Sequence, residues 1–417
     1  MDDDLACRPQ PERPAEFTGI TGADRADAAN SADTRVSAVR RARVWLSRAV
    51  EPGPAAVHAF LAEHGPVEAA CRIRAGQAPP GVLGRVGERA TEDRVDDDLE
   101  AARRAGVRLV TPEDDEWPAG PLLAMEIACS RGVRDISPPQ ALWVRGPVRL
   151  CDAVDRAVAV VGARAATGYG EHVAADLGYD LAGRGWTVVS GGAYGIDGAA
   201  HRGALAASGV TVAVMAGGLD APYPAGHAAL FERIAATGLL VSEWPAGCTP
   251  QRHRFLVRNR LVAALAAGSV VVEAGARSGA QSTARLTALL GRPVMAVPGP
   301  VTSSMSVGSH VLIRDHGARL VSNAAEVVEE VGAIGDDLAP RPAVSPDTVD
   351  RLDPVASRVL DAVPLRDCAS PERVAVEAGL PVGEVLRRLP ALELLDLVVS
   401  TPTGWKLSRP GSQVRRR

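Results

Sequence analysis

The middle of the chain alternates between short runs of apolar, mostly β-branched residues and longer stretches that are amphipathic or rich in alanine. Short apolar runs separated by helical patterns predict strands that alternate with helices, an order typical of a doubly wound, largely parallel sheet. The predicted strands are residues 157–161, 187–189, 211–214, 239–242, 270–272 and 294–297. We therefore predict an α/β fold, with an extended Rossmann-like domain over residues 149–334.

The apolar pattern on either side of this domain has a different period. Between residues 35 and 148, apolar side chains recur every three or four residues, as at Val39, Ala42, Trp45 and Leu46. This spacing predicts a helical N-terminal domain. Gly81, Gly84 and Gly87 punctuate a turn that suits a SAM- or helix-hairpin-helix-like module, with plain helix packing as the alternative. Residues 354–408 predict three helices followed by a hairpin, which is the element order of a winged helix, although Pro390 falls within the third helix.

Three segments lack such a pattern. Residues 1–34 are polar and have little apolar periodicity, which predicts a disordered tail. Residues 335–353 contain several prolines and aspartates, which predicts a linker. Residues 409–417 end in three arginines and form a basic tail.

The composition restricts the classes of function that the chain can have. It has 417 residues, of which 46% are hydrophobic and 23% charged, as in ordinary globular proteins. The formal net charge is −4, so a nucleic-acid site would have to be a local basic patch. Lys406 is the only lysine, which excludes a P-loop nucleotide site and a Schiff-base lysine in the glycine-rich region.

The cysteines and the start of the chain bear on the compartment. The six cysteines form no Cys-x-x-Cys pair and have no metal-ligand spacing, so we expect reduced thiols, no metal and no cofactor. Met1 is followed by three aspartates, unlike a signal peptide, and no apolar run is long enough to span a membrane. We therefore expect a cytoplasmic protein without a membrane partner.

Residues 190–201, Ser-Gly-Gly-Ala-Tyr-Gly-Ile-Asp-Gly-Ala-Ala-His, predict a glycine-rich turn between a strand and a helix. Gly191, Gly192 and Gly195 have no Cβ, so the backbone can turn sharply there and approach a ligand closely. A helix that begins near Ile196 would direct its free N–H groups and the positive end of its dipole toward that ligand. The segment therefore predicts an anion-binding site.

Polar residues also follow the other predicted strands. Arg164 comes after the first strand, Glu243 after the fourth, with Arg252 and Arg258 soon after it, and Glu273 after the fifth. In a doubly wound sheet, ligands bind beyond the carboxyl ends of the strands. Guanidinium groups and backbone amides suit phosphates, so this arrangement predicts a phosphate-binding rim built from several loops.

Some of these residues allow two interpretations. Asp197 and His201 lie four apart on one helix face and resemble an acid/base pair, but Asp197 can instead hold the loop amides and His201 can be structural. Arg258 and Arg260 cannot share one face of a regular helix. Either both lie in the turn before the helix, or one of them pairs with a strand-end carboxylate.

Two further alternatives concern aromatic and acidic residues. Tyr169 and Phe255 either stack on nucleobases or pack in the core. Glu273 is the candidate for catalysis, because a carboxylate at the end of a strand could also accept a hydrogen bond from a ribose.

The order of the motifs points to a known family. The chain contains Val-Gly-Ala-Arg, Ser-Gly-Gly-Ala-x-Gly-Ile-Asp-x-x-Ala-His, Gly-Leu-Asp-x-x-Tyr-Pro, Ser-Glu-x-Pro-x-Gly, Phe-x-x-Arg-Asn-Arg, Val-Glu-Ala and Val-Pro-Gly, in that order, within residues 157–325. This part of the chain resembles the DNA-processing protein A family, called DprA or Smf. Helical N-terminal and winged-helix-like C-terminal domains also occur in that family.

The resemblance implies a cytoplasmic homodimer that binds single-stranded DNA in a basic pocket of its Rossmann domain. It also implies that the protein protects incoming DNA and loads the RecA recombinase during natural transformation. Together with the strand-end residues, it gives the following candidate DNA contacts: Gly162, Ala163, Arg164, Tyr169, Gly191, Gly192, Tyr194, Gly195, Asp197, Arg252, Phe255, Arg258, Asn259, Arg260, Ser278 and Gly279.

The chain departs from the commoner family pattern at three positions. Ala163 stands where serine is frequent, Tyr194 where arginine is frequent, and Ser309 where asparagine is usual. The exchange at Tyr194 replaces a charge with a stacking surface.

Two other functions remain open. One is a nucleotide-processing enzyme of the LOG type, a nucleoside monophosphate phosphoribohydrolase that would use Glu273; the chain lacks that group's Pro-Gly-Gly-x-Gly-Thr run. The other is a winged-helix regulator whose Rossmann domain senses a nucleotide. The absence of a nucleophile–base set, a metal cluster or an ATPase loop favours a DNA-binding protein that is not an enzyme.

Overall fold

The computed structural model describes residues 37–87, 90, 92–333, 337–339, 352–365 and 367–408. The chain divides into two compact units, Met1–Ala339 and Pro340–Arg417. The predicted disordered tail at 1–34 and the basic tail at 409–417 lie outside the described residues, as does most of the predicted linker at 335–353.

The first unit is built on a sheet in which nine strands pair within the described residues, in the order β1-β2-β6-β5-β4-β3-β7-β8-β9. Strands β3 to β9 pair in parallel, whereas β1 pairs with β2, and β2 with β6, antiparallel. This confirms the predicted α/β fold with a largely parallel sheet. The strands are β1 Val107–Val110, β2 Leu142–Arg145, β3 Ala157–Val161, β4 Thr187–Ser190, β5 Thr211–Val214, β6 Leu239–Ser242, β7 Gly268–Val271, β8 Val294–Ala296 and β9 Arg319–Leu320.

Helices cover both faces of this sheet. In β3, Val158 and Val160 pack toward one layer of helices, while Ala159 and Val161 pack toward the other, because successive side chains of a strand point to opposite faces. A strand buried on both faces is apolar throughout, which explains the unbroken apolar runs in the sequence. The helices after β2 are α6 Leu150–Asp155, α7 Gly168–Gly183, α8 Ile196–Ala206, α9 Ala228–Thr237, α10 Arg252–Ala264, α11 Gly279–Leu289, α12 Val307–His316 and α13 Ala324–Val331.

The region before β3 differs from the predicted separate helical domain at residues 35–148. It does contain helices, but β1 and β2 join the central sheet at its antiparallel edge. Trp143 of β2 is buried together with residues of the first helices and with Leu240 of β6, so the two regions share one core. The helices of this region are α1 at 37–49, α2 Ala55–Arg74, α3 Pro80–Leu83, α4 Val95–Arg104 and α5 Ala119–Ser130.

The second unit contains three helices followed by an antiparallel hairpin. Its core includes Val359, Val374 and Leu389, all fully buried. Pro390 lies inside the third helix without ending it. The elements are α14 Pro354–Ala362, α15 Pro371–Ala378, α16 Val382–Leu394, β10 Val398–Thr401 and β11 Gly404–Leu407. The winged-helix assignment stays a prediction.

Candidate nucleic-acid interface

A cavity of about 550 Å³ lies at the carboxyl ends of β3, β4 and β7, where parallel strands place the loops that follow them at one edge of the sheet. We call it the arginine cavity, after the side chains described below. The candidate residues that line it are Gly162, Ala163, Arg164, Gly191, Asp197, Arg252, Phe255, Arg258, Asn259, Ser278 and Gly279.

Backbone hydrogen bonds join three of the loops that form this cavity. The Ala163 amide donates to the Glu273 carbonyl at 2.7 Å, and the Ile196 amide donates to the Ala163 carbonyl at 3.2 Å. Gly195 has a φ of 73°, and a Cβ there would overlap the carbonyl oxygens of Ala163 and Arg164. The glycine at 195 is therefore required by close backbone packing at the base of the cavity as well as by its conformation.

Two helices begin at the wall of the cavity. The first turns of α10 and α11 contribute Arg252, Phe255 and Gly279 to the lining. The Ser278 hydroxyl caps α11 by accepting a hydrogen bond from the Ala280 amide at 3.2 Å. The N-terminus of a helix carries a partial positive charge and free N–H groups, so both helix starts favour an anion in the cavity.

Within the described residues, four arginines line the cavity. Arg164, Arg252 and Arg277 are exposed, whereas Arg258 is only 4% exposed. The guanidinium of Arg164 lies 5.0 Å from the centre of the Phe255 ring. Sequence reasoning missed Arg277, although its position directly before the predicted contacts Ser278 and Gly279 could have revealed it.

Arg258 is held at the base of the cavity. Its Nη1 donates a 2.6 Å hydrogen bond to the Val214 carbonyl, while its buried Nε has no hydrogen-bond partner in the described part of the chain. A Cβ at Gly191 would overlap its guanidinium, so this glycine makes room for the arginine. Burial lowers the pKa of Arg258 to about 10, although nearby Asp197 opposes this shift, so Arg258 is charged at neutral pH.

Asp197 is buried beneath the glycine-rich turn and accepts a hydrogen bond from it. The side chain is buried, and its Oδ2 accepts a 3.4 Å hydrogen bond from the Ala193 amide. Burial raises the pKa of Asp197, whereas the positive charge of Arg258 lowers it. This geometry fits the interpretation in which Asp197 holds the loop in shape.

His201 is fully buried against the sheet. Its Nδ1 lies 2.7 Å from the hydroxyl oxygen of Thr211, which itself donates to the Val188 carbonyl. Burial lowers the pKa of His201 to about 3, so the ring is neutral at physiological pH. The two residues therefore do not form an acid/base pair.

The Glu273 carboxylate is buried and is held by Thr167. Its Oε2 accepts a hydrogen bond from the Thr167 amide at 2.9 Å, and its Oε1 accepts one from the Thr167 hydroxyl at 2.7 Å. Thr167 in turn caps α7 by accepting from the Gly170 amide. Glu273 thus fixes the loop between β3 and α7, which carries Arg164, and it does not line the cavity.

The structure corrects the predicted DNA contact at Arg260. Its side chain is 1% exposed, donates to Glu243 Oε1 at 2.5 Å and to the Ser137 carbonyl at 2.7 Å, and lies away from the cavity. Two positions along a helix rotate a side chain by about 200°, so Arg258 and Arg260 point to opposite sides of α10.

Four other candidates lie outside the lining of the cavity. Tyr169 donates from its hydroxyl to the Pro298 carbonyl at 2.6 Å. Gly192 packs against the ring of Phe231, and Gly195 packs against the carbonyls of Ala163 and Arg164. Tyr194 lines a smaller neighbouring cavity.

Two kinds of feature are absent from the described residues. None of their helices is both long and apolar enough to cross a membrane. They also contain no group of three or more histidine, cysteine or acidic side chains that could hold a metal ion.

Comparisons with known proteins agree with this architecture. The family DNA recombination-mediator protein A matches residues 108–332, a range that begins within β1. The chain is 51% identical over 374 residues to a Mycobacterium tuberculosis protein named as a DNA processing protein DprA, covering 89% of this chain and 95% of that one. It is 38% identical over 282 residues to the protein Smf of Escherichia coli, covering 66% and 74%.

A solved structure is also similar. The X-ray structure of DNA processing protein A from Streptococcus pneumoniae superposes with a TM-score of 0.56 at 28% identity, covering 70% of this chain and 96% of that one. The family match and these similarities indicate a DNA-processing role in recombination. The chain belongs to the DNA recombination-mediator protein A (DprA/Smf) family.

Proposed function

We propose that this protein binds single-stranded DNA in the arginine cavity and acts as a binding protein, without catalysis. One observation carries the proposal. Arg164, Arg252, Arg258 and Arg277 converge with the starts of α10 and α11 on one cavity, in a chain whose net charge is −4. Guanidinium groups and helix N-termini are the donors that proteins use to hold phosphates.

The shape of the site favours a single strand over a duplex. The arginine cavity is concave, and Arg258 lies at its base rather than on a projecting helix. A duplex is read by elements that enter its grooves, whereas an unpaired nucleotide can itself enter a concave site. Phe255 at the wall offers a ring on which a base can stack.

The proposed contacts are the predicted residues that line the cavity, except Asp197, together with Arg277. Tyr169, Gly192, Gly195 and Asp197 support the loops behind these contacts, because they bond or pack against backbone. The use of Glu273 to hold Thr167 argues against a LOG-type reaction, since that carboxylate does not reach the cavity.

We also propose, on family membership alone, that the protein works in the cytoplasm as a homodimer, protects the bound strand and loads it with the RecA recombinase. Light scattering of the purified chain tests the dimer. Strand exchange by RecA on DNA coated with a single-strand-binding protein, with and without this chain, tests the loading.

Fluorescence anisotropy with labelled oligonucleotides tests the binding proposal. We expect the wild-type chain to bind single strands more tightly than duplexes, and Arg164→Ala to weaken single-strand binding about tenfold or more, because a charge-assisted contact is lost. Arg184→Ala is the matched control, since Arg184 is an exposed arginine at the far end of α7. Unchanged affinity of Arg164→Ala, or preference for duplex, would contradict the proposal.

Incubation with nucleoside monophosphates tests the alternative. We expect chromatography to detect no free base. Release of base by the wild type that is lost in Glu273→Gln would instead assign the protein to nucleotide hydrolysis.

A further inference from the structure

Tyrosines are concentrated at one edge of the molecule. The chain has four tyrosines in 417 residues, and three of them, Tyr169, Tyr194 and Tyr223, follow β3, β4 and β5 at the edge of the sheet that holds the arginine cavity. Each exposes between 40% and 50% of its surface. The fourth tyrosine, Tyr179, is equally exposed on α7, so the grouping of the other three beside the cavity, and not exposure alone, indicates contact with a ligand.

Two of these tyrosines line a second, smaller cavity of about 30 Å³ beside the first. Four residues line both cavities, so the two adjoin there: Arg164, Gly191, Ala193 and Phe255. Tyr194, Tyr223 and Pro224 complete the smaller one. Its volume is too small to enclose a nucleobase, so a base at this place would lie on the rings.

The rings are positioned by their neighbours. Tyr223 lies 5.8 Å from Phe255 between ring centres, at an angle of 60°. Tyr194 packs edge-to-face with His227 at 4.7 Å, and Nδ1 of His227 is 3.0 Å from the Gly192 carbonyl oxygen. Fixed rings lose little conformational entropy when a ligand stacks on them.

The two cavities differ in charge. Four arginines line the larger one, which suits a sugar–phosphate chain. The described lining of the smaller one holds Arg164 as its sole charged side chain, at the border between them, and is otherwise aromatic or small. A neutral aromatic surface beside a cationic groove is the arrangement that binds unpaired bases next to their phosphates.

We propose that Tyr194 and Tyr223 form a base-stacking surface, the tyrosine ledge, on which the strand lies as it passes Phe255 and leaves the arginine cavity. The inference rests on the proposed binding of single-stranded DNA. The ligand class is an unpaired nucleobase of any identity, because every base offers a π-face to an aromatic ring.

The test measures the affinity of the full chain for a labelled single strand at several salt concentrations. Tyr194→Ala and Tyr223→Ala are each expected to weaken binding about fivefold or more, the loss typical of one stacked base. The slope of log affinity against log salt should not change, because no phosphate contact is removed. Tyr194→Phe and Tyr223→Phe keep the ring and should bind like the wild type.

Tyr179→Ala is the matched control, because Tyr179 is half-exposed on α7 but lines neither cavity. If an alanine variant does not fold, the leucine variant keeps an apolar side chain without the π system. A second ligand isolates the base: with a strand of abasic sugar–phosphate units at its centre, the tyrosine variants should bind as well as the wild type.

The outcomes separate the two proposals. Failure of the wild type to bind single strands, or no effect of Arg164→Ala, would reject the proposed function. Suppose that Arg164→Ala weakens binding while folded Tyr194→Ala and Tyr223→Ala bind like the wild type. The tyrosine ledge is then wrong, and the arginine cavity stands. The same holds if the two tyrosine variants lose as much affinity for abasic strands as for ordinary strands.

Discussion

Asp197 and His201 lie four residues apart on α8, yet their surroundings give them different roles. Asp197 is turned toward Arg258 and the glycine-rich turn, whereas His201 is turned toward Thr211 inside the sheet. Helical spacing places two side chains on one face, but it does not determine what packs against each of them. The carboxylate therefore belongs to the arginine cavity, and the imidazole belongs to the core.

The buried imidazole makes the fold sensitive to acid. The pKa of His201 is about 3 in the folded chain against an ordinary value of 6.5, because burial disfavours the charged ring. The unfolded chain thus binds the proton more readily. The stability that depends on a neutral His201 is complete above pH 6.5 and is lost progressively as the pH falls toward 3.

We expect the wild type to lose about 2 kcal/mol more free energy of unfolding between pH 7 and pH 5 than His201→Gln. Urea unfolding of both chains at the two pH values measures this difference. The comparison concerns the change with pH, so a general destabilisation of the variant does not obscure it. Equal losses in the two chains would show that folding does not lower the pKa of His201.

At the scale of the element, α10 has two functional sides. One side presents Arg252, Phe255 and Arg258 to the cavity. The other side is tied into the protein, because Arg254 forms an ion pair with Glu51, from the connection between α1 and α2, and donates to the Thr249 carbonyl. The helix that supplies much of the lining of the arginine cavity is therefore braced by the N-terminal region.

Arg260 is part of this bracing, which leads to a prediction. Removal of one partner from a buried ion pair leaves the other charge unpaired, so Arg260→Ala should reduce the free energy of unfolding by about 3–5 kcal/mol. The folded fraction should keep its affinity for single strands. Urea unfolding and anisotropy on the same preparation measure both quantities.

The double variant Arg260→Leu with Glu243→Leu is the control, since replacing both charges by apolar side chains is often neutral for stability. The neighbouring Arg258→Ala should show a loss of affinity. If folded Arg260→Ala loses as much affinity as Arg258→Ala, Arg260 contacts DNA after all.

The same helix shows how far the sequence determines the site. From their positions after predicted strands, Arg164 and Arg258 were expected to lie at one site, and both line the arginine cavity. The reason is that the loops after parallel strands lie at the same edge of the sheet. The direction of Arg260 depended on where α10 begins and on Glu243, which is 17 positions away in the chain. Side-chain direction on a helix follows from tertiary packing, which a local pattern does not contain.

The fold also combines elements that the local sequence pattern predicts with elements that depend on distant partners. Long apolar runs such as residues 157–161 predicted buried parallel strands correctly, because a strand covered on both faces must be apolar throughout. Strands β1 and β2, of four residues each, were missed among helical segments. Their assignment comes from pairing with each other and with β6, a partner nearly 100 residues further along the chain from β2.

At the scale of the molecule, a chain with net charge −4 must attract DNA locally. The positive charge of the arginine cavity comes from four arginines and two helix starts, all within the first unit. At long range the net negative charge of the protein repels DNA, so binding should depend on few, close phosphate contacts. The number of those contacts is measurable from the effect of salt.

Each phosphate that an arginine neutralises on a single strand contributes about −0.7 to the slope of log affinity against log salt. If all four arginines contact phosphates, the slope for the wild type should be about −2.8, and Arg252→Ala should make it less steep by about 0.7. Anisotropy titrations between low and moderate salt measure both slopes.

Replacement of Arg415, Arg416 and Arg417 by alanine is the control for the C-terminal basic tail and should leave the slope unchanged. A much steeper slope that becomes shallow in this triple variant would place the main phosphate contacts in the tail, because only charges that release counterions from the strand affect the salt dependence.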